Sequence, residues 1–141
     1  MRRLALSLAV SALAVVAVLA SRPAAATSAT PAKEACVKTF QRQRTCTDAF
    51  IPALVDARVS VNKPKGIAEE AAKPGGRDAL IKQALEEWKT DSTDTAIDAT
   101  CTRIASSPRG PAVSAMAAQC AAAADCAAFV QCVVPLMKPS L

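Results

Sequence analysis

Apolar side chains recur every three or four residues along most of this chain, which is the spacing of one face of an α-helix. The longest such pattern covers residues 33–61 and is followed by a turn-forming segment at 62–66. Pro52 lies inside this pattern, so we expect a kink near residues 48–52. The residues that share its apolar face are Cys36, Phe40, Phe50, Leu54, Ala57 and Val61.

Further helical segments follow, separated by breaks that are rich in Gly, Pro and small polar residues. We expect a short helix at 67–73, a longer one at 77–89 and another that ends near Ser106. Pro111 fits the start of the next helix, and Asp125 is placed to cap the last one. Apart from residues 57–61, no alternating pattern indicates a strand. The sequence therefore predicts an all-α fold, a small bundle of four to five helices.

The first 26 residues have the three parts of a bacterial secretory signal peptide. Arg2 and Arg3 form a positive start, residues 4–20 form an uncharged apolar run, and small residues precede cleavage positions after Ala20 or Ala26. This run is at the short limit of what spans a bilayer, so cleavage is favoured over a retained membrane anchor. We expect a signal peptide at 1–26, a disordered leader at 27–32 and one helical, disulfide-rich domain at 33–141.

Export would change the charge of the chain. The predicted signal peptide holds three of the seventeen basic residues and none of the twelve acids, so the net charge falls from +5 to +2. Aromatic residues make up only 3% of the chain, and basic residues alternate with acidic ones. Nucleic-acid binding is disfavoured, because it needs a clustered basic face with aromatic residues that stack on bases. The membrane enters this prediction only as the export route.

Six cysteines in an exported chain predict three disulfides. No Cys-x-x-Cys pair and no His occur, which disfavours a thioredoxin-like redox site, a zinc site or haem attachment. We expect no cofactor and no metal. The six disulfide-bonded residues are Cys36, Cys46, Cys101, Cys120, Cys126 and Cys132.

Helix geometry narrows the pairing of these cysteines. Ten residues of helix span about 15 Å, well beyond the roughly 4.4–6.8 Å between the Cα atoms of a disulfide, so Cys36 and Cys46 are not expected to pair. A turn near Ala124 favours a local bond between Cys120 and Cys126. Cys36 and Cys46 would then be tied to Cys101 and Cys132.

The sequence gives little support to an enzyme. Without His, the usual general base is missing, and no Gly-rich phosphate loop or nucleophile motif is present. Asp91, Asp94 and Asp98 are the only acids spaced to converge on one site, and their position at a predicted helix start favours an electrostatic role instead. We predict no catalytic residues.

Trp88 is the most informative single residue. It is the only Trp and shares an apolar stripe with Ile81 and Leu85, which indicates core packing. The alternative is that Trp88, Leu85 and Ile81 form one wall of a ligand pocket between helices.

These observations favour an exported, non-enzymatic helical module that acts in the periplasm or outside the cell by binding a protein or an apolar small molecule. The alternatives are a hydrolase-like enzyme that uses only carboxylates, and a secreted toxin, inhibitor or stress protein. A pocket with two converging acids would favour the enzyme. An apolar groove beside Trp88 would favour a carrier.

Overall fold

Three of the helices in the described part of the chain begin at a side chain that accepts a hydrogen bond from a first-turn N–H group. The computed structural model describes residues 30–138. Thr30, Thr93 and Asp125 are side-chain N-caps, accepting from the backbone N–H groups of Lys33, Ala96 and Ala128. The seven helices within the described residues are α1 (Pro31–Thr45), α2 (Thr47–Ser60), α3 (Ile67–Ala72), α4 (Gly76–Asp91), α5 (Asp94–Ala105), α6 (Gly110–Cys120) and α7 (Cys126–Met137).

The all-α fold class and the three disulfides are confirmed. The predicted signal peptide at 1–26 lies outside the described residues. Of the predicted leader at 27–32, Thr30 caps α1, and α1 already begins at Pro31. No helix within residues 30–138 has the length and apolar character that a membrane crossing requires.

The predicted long helix at 33–61 is divided in two, and the break lies at Cys46 rather than near Pro52. Cys46 N–H is shared between the carbonyls of Arg42 and Gln43, at 3.0 and 3.1 Å. The Thr47 hydroxyl donates to the Arg44 carbonyl at 2.8 Å. Polar groups of residues 46 and 47 thus satisfy the last carbonyls of α1, which lets the chain change direction there. Pro52 is accommodated inside α2.

The helices form two groups of three. In one group α1 packs against α5 and α6, and in the other α2 packs against α3 and α4. Helix α7 lies between the groups, because it packs against both α2 and α6. The main core lies between α2 and α7 and contains Phe50, Ile51, Phe129 and Val133. A smaller core joins α1 to α5.

Two glycines allow backbone segments to approach closely. A Cβ atom added to Gly76 would lie 1.9 Å from the Glu70 carbonyl oxygen, and one added to Gly110 would lie 1.6 Å from that of Ile104. Such distances leave no room for any side chain. These glycines therefore permit the tight connections from α3 to α4 and from α5 to α6.

The disulfides connect different helices. Cys36 in α1 is bonded to Cys101 in α5, and Cys46 is bonded to Cys126 at the start of α7. The third bond joins Cys120 in α6 to Cys132 in α7. The absence of a Cys36–Cys46 bond and the bonding of each to a distant helix are confirmed.

The predicted local bond between Cys120 and Cys126 is wrong, and so is any bond from the first helices to Cys132. Six residues of helix turn a side chain through about 600°, so Cys126 and Cys132 point about 120° apart. They therefore face different neighbours of α7. Cys126 meets the corner between α1 and α2, whereas Cys132 meets α6.

Candidate ligand-binding site

Three aromatic side chains meet between α1, α2 and α4. The rings of Phe40 and Trp88 are stacked, with centroids 6.2 Å apart and planes inclined by 12°. The Phe50 ring centroid lies 5.7 Å from that of Trp88 and 6.5 Å from that of Phe129 in the main core, and both pairs are tilted. Such offset and tilted geometries are the favourable ones for aromatic pairs.

The orientation of Trp88 is held by a hydrogen bond. Its indole Nε1–H donates to the Thr47 hydroxyl at 3.1 Å, across the junction between α1 and α2. A partly buried Trp needs such a partner for its only polar atom. The orientation of the Trp88 ring is therefore fixed, and its N–H group already has a hydrogen-bonding partner within the protein.

These aromatic rings border an open cavity of about 320 Å³, which we call the aromatic cavity. Its volume lies at the lower end of the range for small-molecule sites. The helices α1, α2, α4 and α5 contribute to it, and the end of α7 closes one side. The lining residues are Phe40, Gln43, Phe50, Ile51, Leu54, Arg58, Ala84, Glu87, Trp88, Asp91, Ala96, Thr100, Arg103 and Met137.

Of the three predicted pocket residues, Trp88 lines the aromatic cavity and the other two do not. Leu85 packs against the main core and borders a separate surface depression beside Trp88. Ile81 is partly buried and lines neither space. The helix face that reaches the cavity carries Ala84, Glu87, Trp88 and Asp91, spaced at i, i+3, i+4 and i+7.

A second cavity of about 170 Å³ adjoins the first, and we call it the α6 cavity. Phe40, Gln43 and Met137 line both cavities. The other residues of the α6 cavity are Cys36, Thr39, Ile104, Val113, Ser114, Ala117, Val133 and Leu136. An apolar cavity of this size is large enough to hold a single aromatic ring.

The charged residues at the aromatic cavity balance each other. Arg58 and Arg103 provide two positive charges, and Glu87 and Asp91 provide two negative ones. Glu87 also accepts a hydrogen bond of 2.8 Å from the Gln83 side chain. A cavity rim without net charge gives no electrostatic preference for a cation or an anion.

Of the three acids spaced to converge on one site, Asp94 and Asp98 border one surface depression and Asp91 lies apart from them. Asp94 pairs with Arg44 at 2.5 Å and Asp98 pairs with Lys33 at 2.6 Å, both across the contact between α1 and α5. Asp91 ends α4 and faces the aromatic cavity instead. Among the described residues no group of acids or cysteines is arranged to hold a metal ion.

Sequence reasoning missed the residue that joins the two cavities. Gln43 follows Cys36 and Phe40 at i+7 and i+3, so it lies on the apolar face of α1. The structure buries it, with 4% of its surface exposed. A polar residue in register with an apolar stripe was the signal that could have identified it.

No protein-family model matches this chain, and neither a similar curated protein nor a similar solved structure was found.

Proposed function

We propose that this chain is an exported, non-enzymatic binding module that holds an uncharged, apolar small molecule between its helices. The observation that carries this proposal is the aromatic cavity of about 320 Å³, with Phe40, Phe50 and Trp88 in its walls. Mostly apolar cavities between helices are a common form of small-molecule site. The balanced charges at the rim favour a ligand without net charge.

Export rests on two features that support each other. The chain begins with the pattern of a secretory signal peptide, and its six cysteines are paired in three disulfides. Disulfides persist in oxidising compartments such as the bacterial periplasm and the extracellular medium. The ligand would accordingly be bound there, outside the cytoplasm.

Binding of a small hydrocarbon tests this proposal directly. Diphenylmethane is uncharged and has no hydrogen-bonding group, so it reports on the apolar space alone. Trp88 is the only Trp and borders the cavity, so its fluorescence should change saturably when diphenylmethane binds. No saturable binding to the wild-type protein would contradict the proposal.

A pair of matched variants locates the binding. Ala96 lines the aromatic cavity, and Ala99 lies exposed on the same helix. Ala96→Leu should fill part of the cavity and abolish most of the binding, while Ala99→Leu should leave the affinity unchanged. Equal affinities in both variants would place the ligand elsewhere.

A second candidate function is hydrolysis by carboxylates alone, and one observation favours it. Glu87 and Asp91 both border the aromatic cavity, one turn apart on α4. Two acids in unequal environments can divide the roles of general acid and general base. The double variant Glu87→Gln/Asp91→Asn separates the two functions. A binding module keeps its affinity for diphenylmethane in this variant and shows no turnover in either form, whereas an enzyme loses a measurable hydrolytic activity.

A further inference from the structure

Two buried polar side chains lie at the α6 cavity with no hydrogen-bonding partner among the described residues. Gln43 in α1 is 4% exposed and Ser114 in α6 is 3% exposed. Arg42 Nε is the only fully enclosed side-chain polar atom in residues 30–138 that lacks a partner. The Gln43 amide and the Ser114 hydroxyl also lack a partner but are not enclosed in this way, so they reach open space. The space that both residues line is the α6 cavity.

Burial of such groups is costly unless something bonds to them. A buried amide or hydroxyl without a hydrogen bond loses on the order of 1–3 kcal/mol relative to its state in water. The third polar residue of this cavity does not help, since the Thr39 hydroxyl already donates to the Ala35 carbonyl at 2.9 Å. Either water or a ligand must supply the missing partner.

We infer that Gln43 and Ser114 are the polar anchor of the ligand site, and that the ligand is an apolar molecule with a carbonyl or hydroxyl group. This inference rests on the proposed function. The amide N–H of Gln43 and the hydroxyl of Ser114 both donate, so a carbonyl oxygen in the α6 cavity, which both residues line, can accept from them. Gln43 also lines the aromatic cavity, so the two cavities together offer space for apolar groups on either side of its amide.

The recognition is specific because of what surrounds the two polar groups. The rest of the α6 cavity is mostly apolar, so its low dielectric strengthens a hydrogen bond made there. A ligand without an acceptor would displace water and leave the amide unpaired. The site should therefore prefer a ketone, ester or alcohol to the hydrocarbon of the same shape.

Benzophenone and diphenylmethane are the matched probes, because they differ chiefly in a carbonyl group that replaces a methylene. Calorimetric titration of the wild-type protein should show about two- to tenfold tighter binding of benzophenone, the range expected for one net hydrogen bond. In Gln43→Leu this preference should disappear while diphenylmethane still binds. Gln41→Leu is the control, since Gln41 is exposed on the same helix and lines neither cavity.

The outcomes separate this inference from the proposed function. If the wild-type protein binds both probes equally, or Gln43→Leu keeps the preference, the polar anchor is wrong and the apolar site stands. If neither probe binds, the proposed function fails and the inference fails with it. Should Gln43→Leu not fold, the wild-type protein still decides. Benzophenone must then shift the side-chain amide resonances of Gln43 in a ¹⁵N-correlated NMR spectrum, and unchanged resonances would overturn the inference.

Discussion

At the residue scale, neighbouring residues of similar chemistry have different roles. Arg42 and Arg44 flank Gln43 in α1. Arg42 is partly buried and its guanidinium donates to the Ala123 carbonyl at 3.0 Å, near the end of α6. Arg44 is exposed and pairs with Asp94. Arg42 thus holds α1 to the connection between α6 and α7, and Arg44 makes a surface ion pair.

Replacing the two arginines should show this difference. Arg42→Met keeps the packing of the aliphatic stem and removes a charged hydrogen bond, so we expect a loss of about 1–2 kcal/mol in the free energy of unfolding. Arg44→Met should cost at most about 1 kcal/mol, as is usual for exposed ion pairs. Urea unfolding followed by circular dichroism measures both. Equal effects would mean that the Arg42 contact does not stabilise the fold.

Asp56 in α2 makes a bidentate pair with Arg77 in α4. Arg77 Nε and Nη2 donate to its two carboxylate oxygens at 2.7 and 2.9 Å. These hydrogen bonds, helped by the charge of Arg77 and opposed by partial burial, lower the pKa of Asp56 below its usual value of 3.8. A lowered pKa in the folded state stabilises the protein above pH 3.8 and stops doing so as pH falls through the lowered pKa.

Asp56→Asn should accordingly lower the urea midpoint slightly at pH 7, and the difference from the wild type should shrink as the pH falls below about 4. Arg77→Gln should have a similar effect, and the double variant should add little to either, because the two residues share one interaction. A difference that stays constant between pH 7 and pH 3 would contradict this account.

At the element scale, α6 and α7 are unusual because they contain almost no charge. Asp125 is the only ionisable residue among positions 110–137 other than the disulfide-bonded cysteines. Its carboxylate accepts from Ala128 N–H at 2.8 Å and begins α7 directly after the turn at 121–125. The start of α7 also carries Cys126, so the cap and the Cys46–Cys126 disulfide hold the same helix end.

Loss of this cap should be measurable in isolation. Asp125→Ala should destabilise the protein by about 0.5–2 kcal/mol, whereas Asp125→Asn should retain most of the stability, because an Asn side chain accepts the same hydrogen bond. Thermal unfolding of the oxidised protein gives the comparison. If the Asn variant lost as much as the Ala variant, charge near the helix dipole would be the larger contribution.

At the scale of the whole molecule, the disulfides differ in both exposure and span. Cys36 and Cys101 are buried at 4% and 0% exposure, whereas Cys132 is exposed on α7. The Cys36–Cys101 bond joins residues 65 positions apart, and the Cys120–Cys132 bond joins residues 12 positions apart. Loop-closure entropy gives the longer bond about 4 kcal/mol of stabilisation and the shorter one about 3 kcal/mol.

Mild reduction should therefore proceed in a defined order. Cys120–Cys132 should open first, because reductant reaches Cys132 in the folded protein, and the helical circular dichroism should largely survive this step. Opening Cys36–Cys101 requires exposure of the smaller core and should coincide with loss of the fold. Differential thiol alkylation with peptide mapping tests the order. Labelling of Cys36 and Cys101 before Cys132 would contradict it.

Local chemistry determined most of what could be predicted from the sequence. The all-α class follows from apolar spacing, and the ends of the helices lie close to the predicted positions because Gly, Pro and capping residues act on their immediate neighbours. The bend predicted near Pro52 lies at Cys46 instead, where the Cys46 N–H and the Thr47 hydroxyl bond to the last carbonyls of α1, a pattern that is less distinctive in a sequence than a proline.

Tertiary structure alone decided the partners. Which cysteines pair depends on the side of α7 that each one faces, and that direction is set by how α7 packs between α2 and α6. In the same way, Trp88 could be recognised as significant from its position on an apolar stripe, but its cavity depends on Phe40, Gln43 and Phe50 from other helices. Periodicity fixes the face on which a residue lies because it is a property of one helix. Which helix packs against that face is a property of the whole molecule, because all the apolar stripes must be buried together in one arrangement.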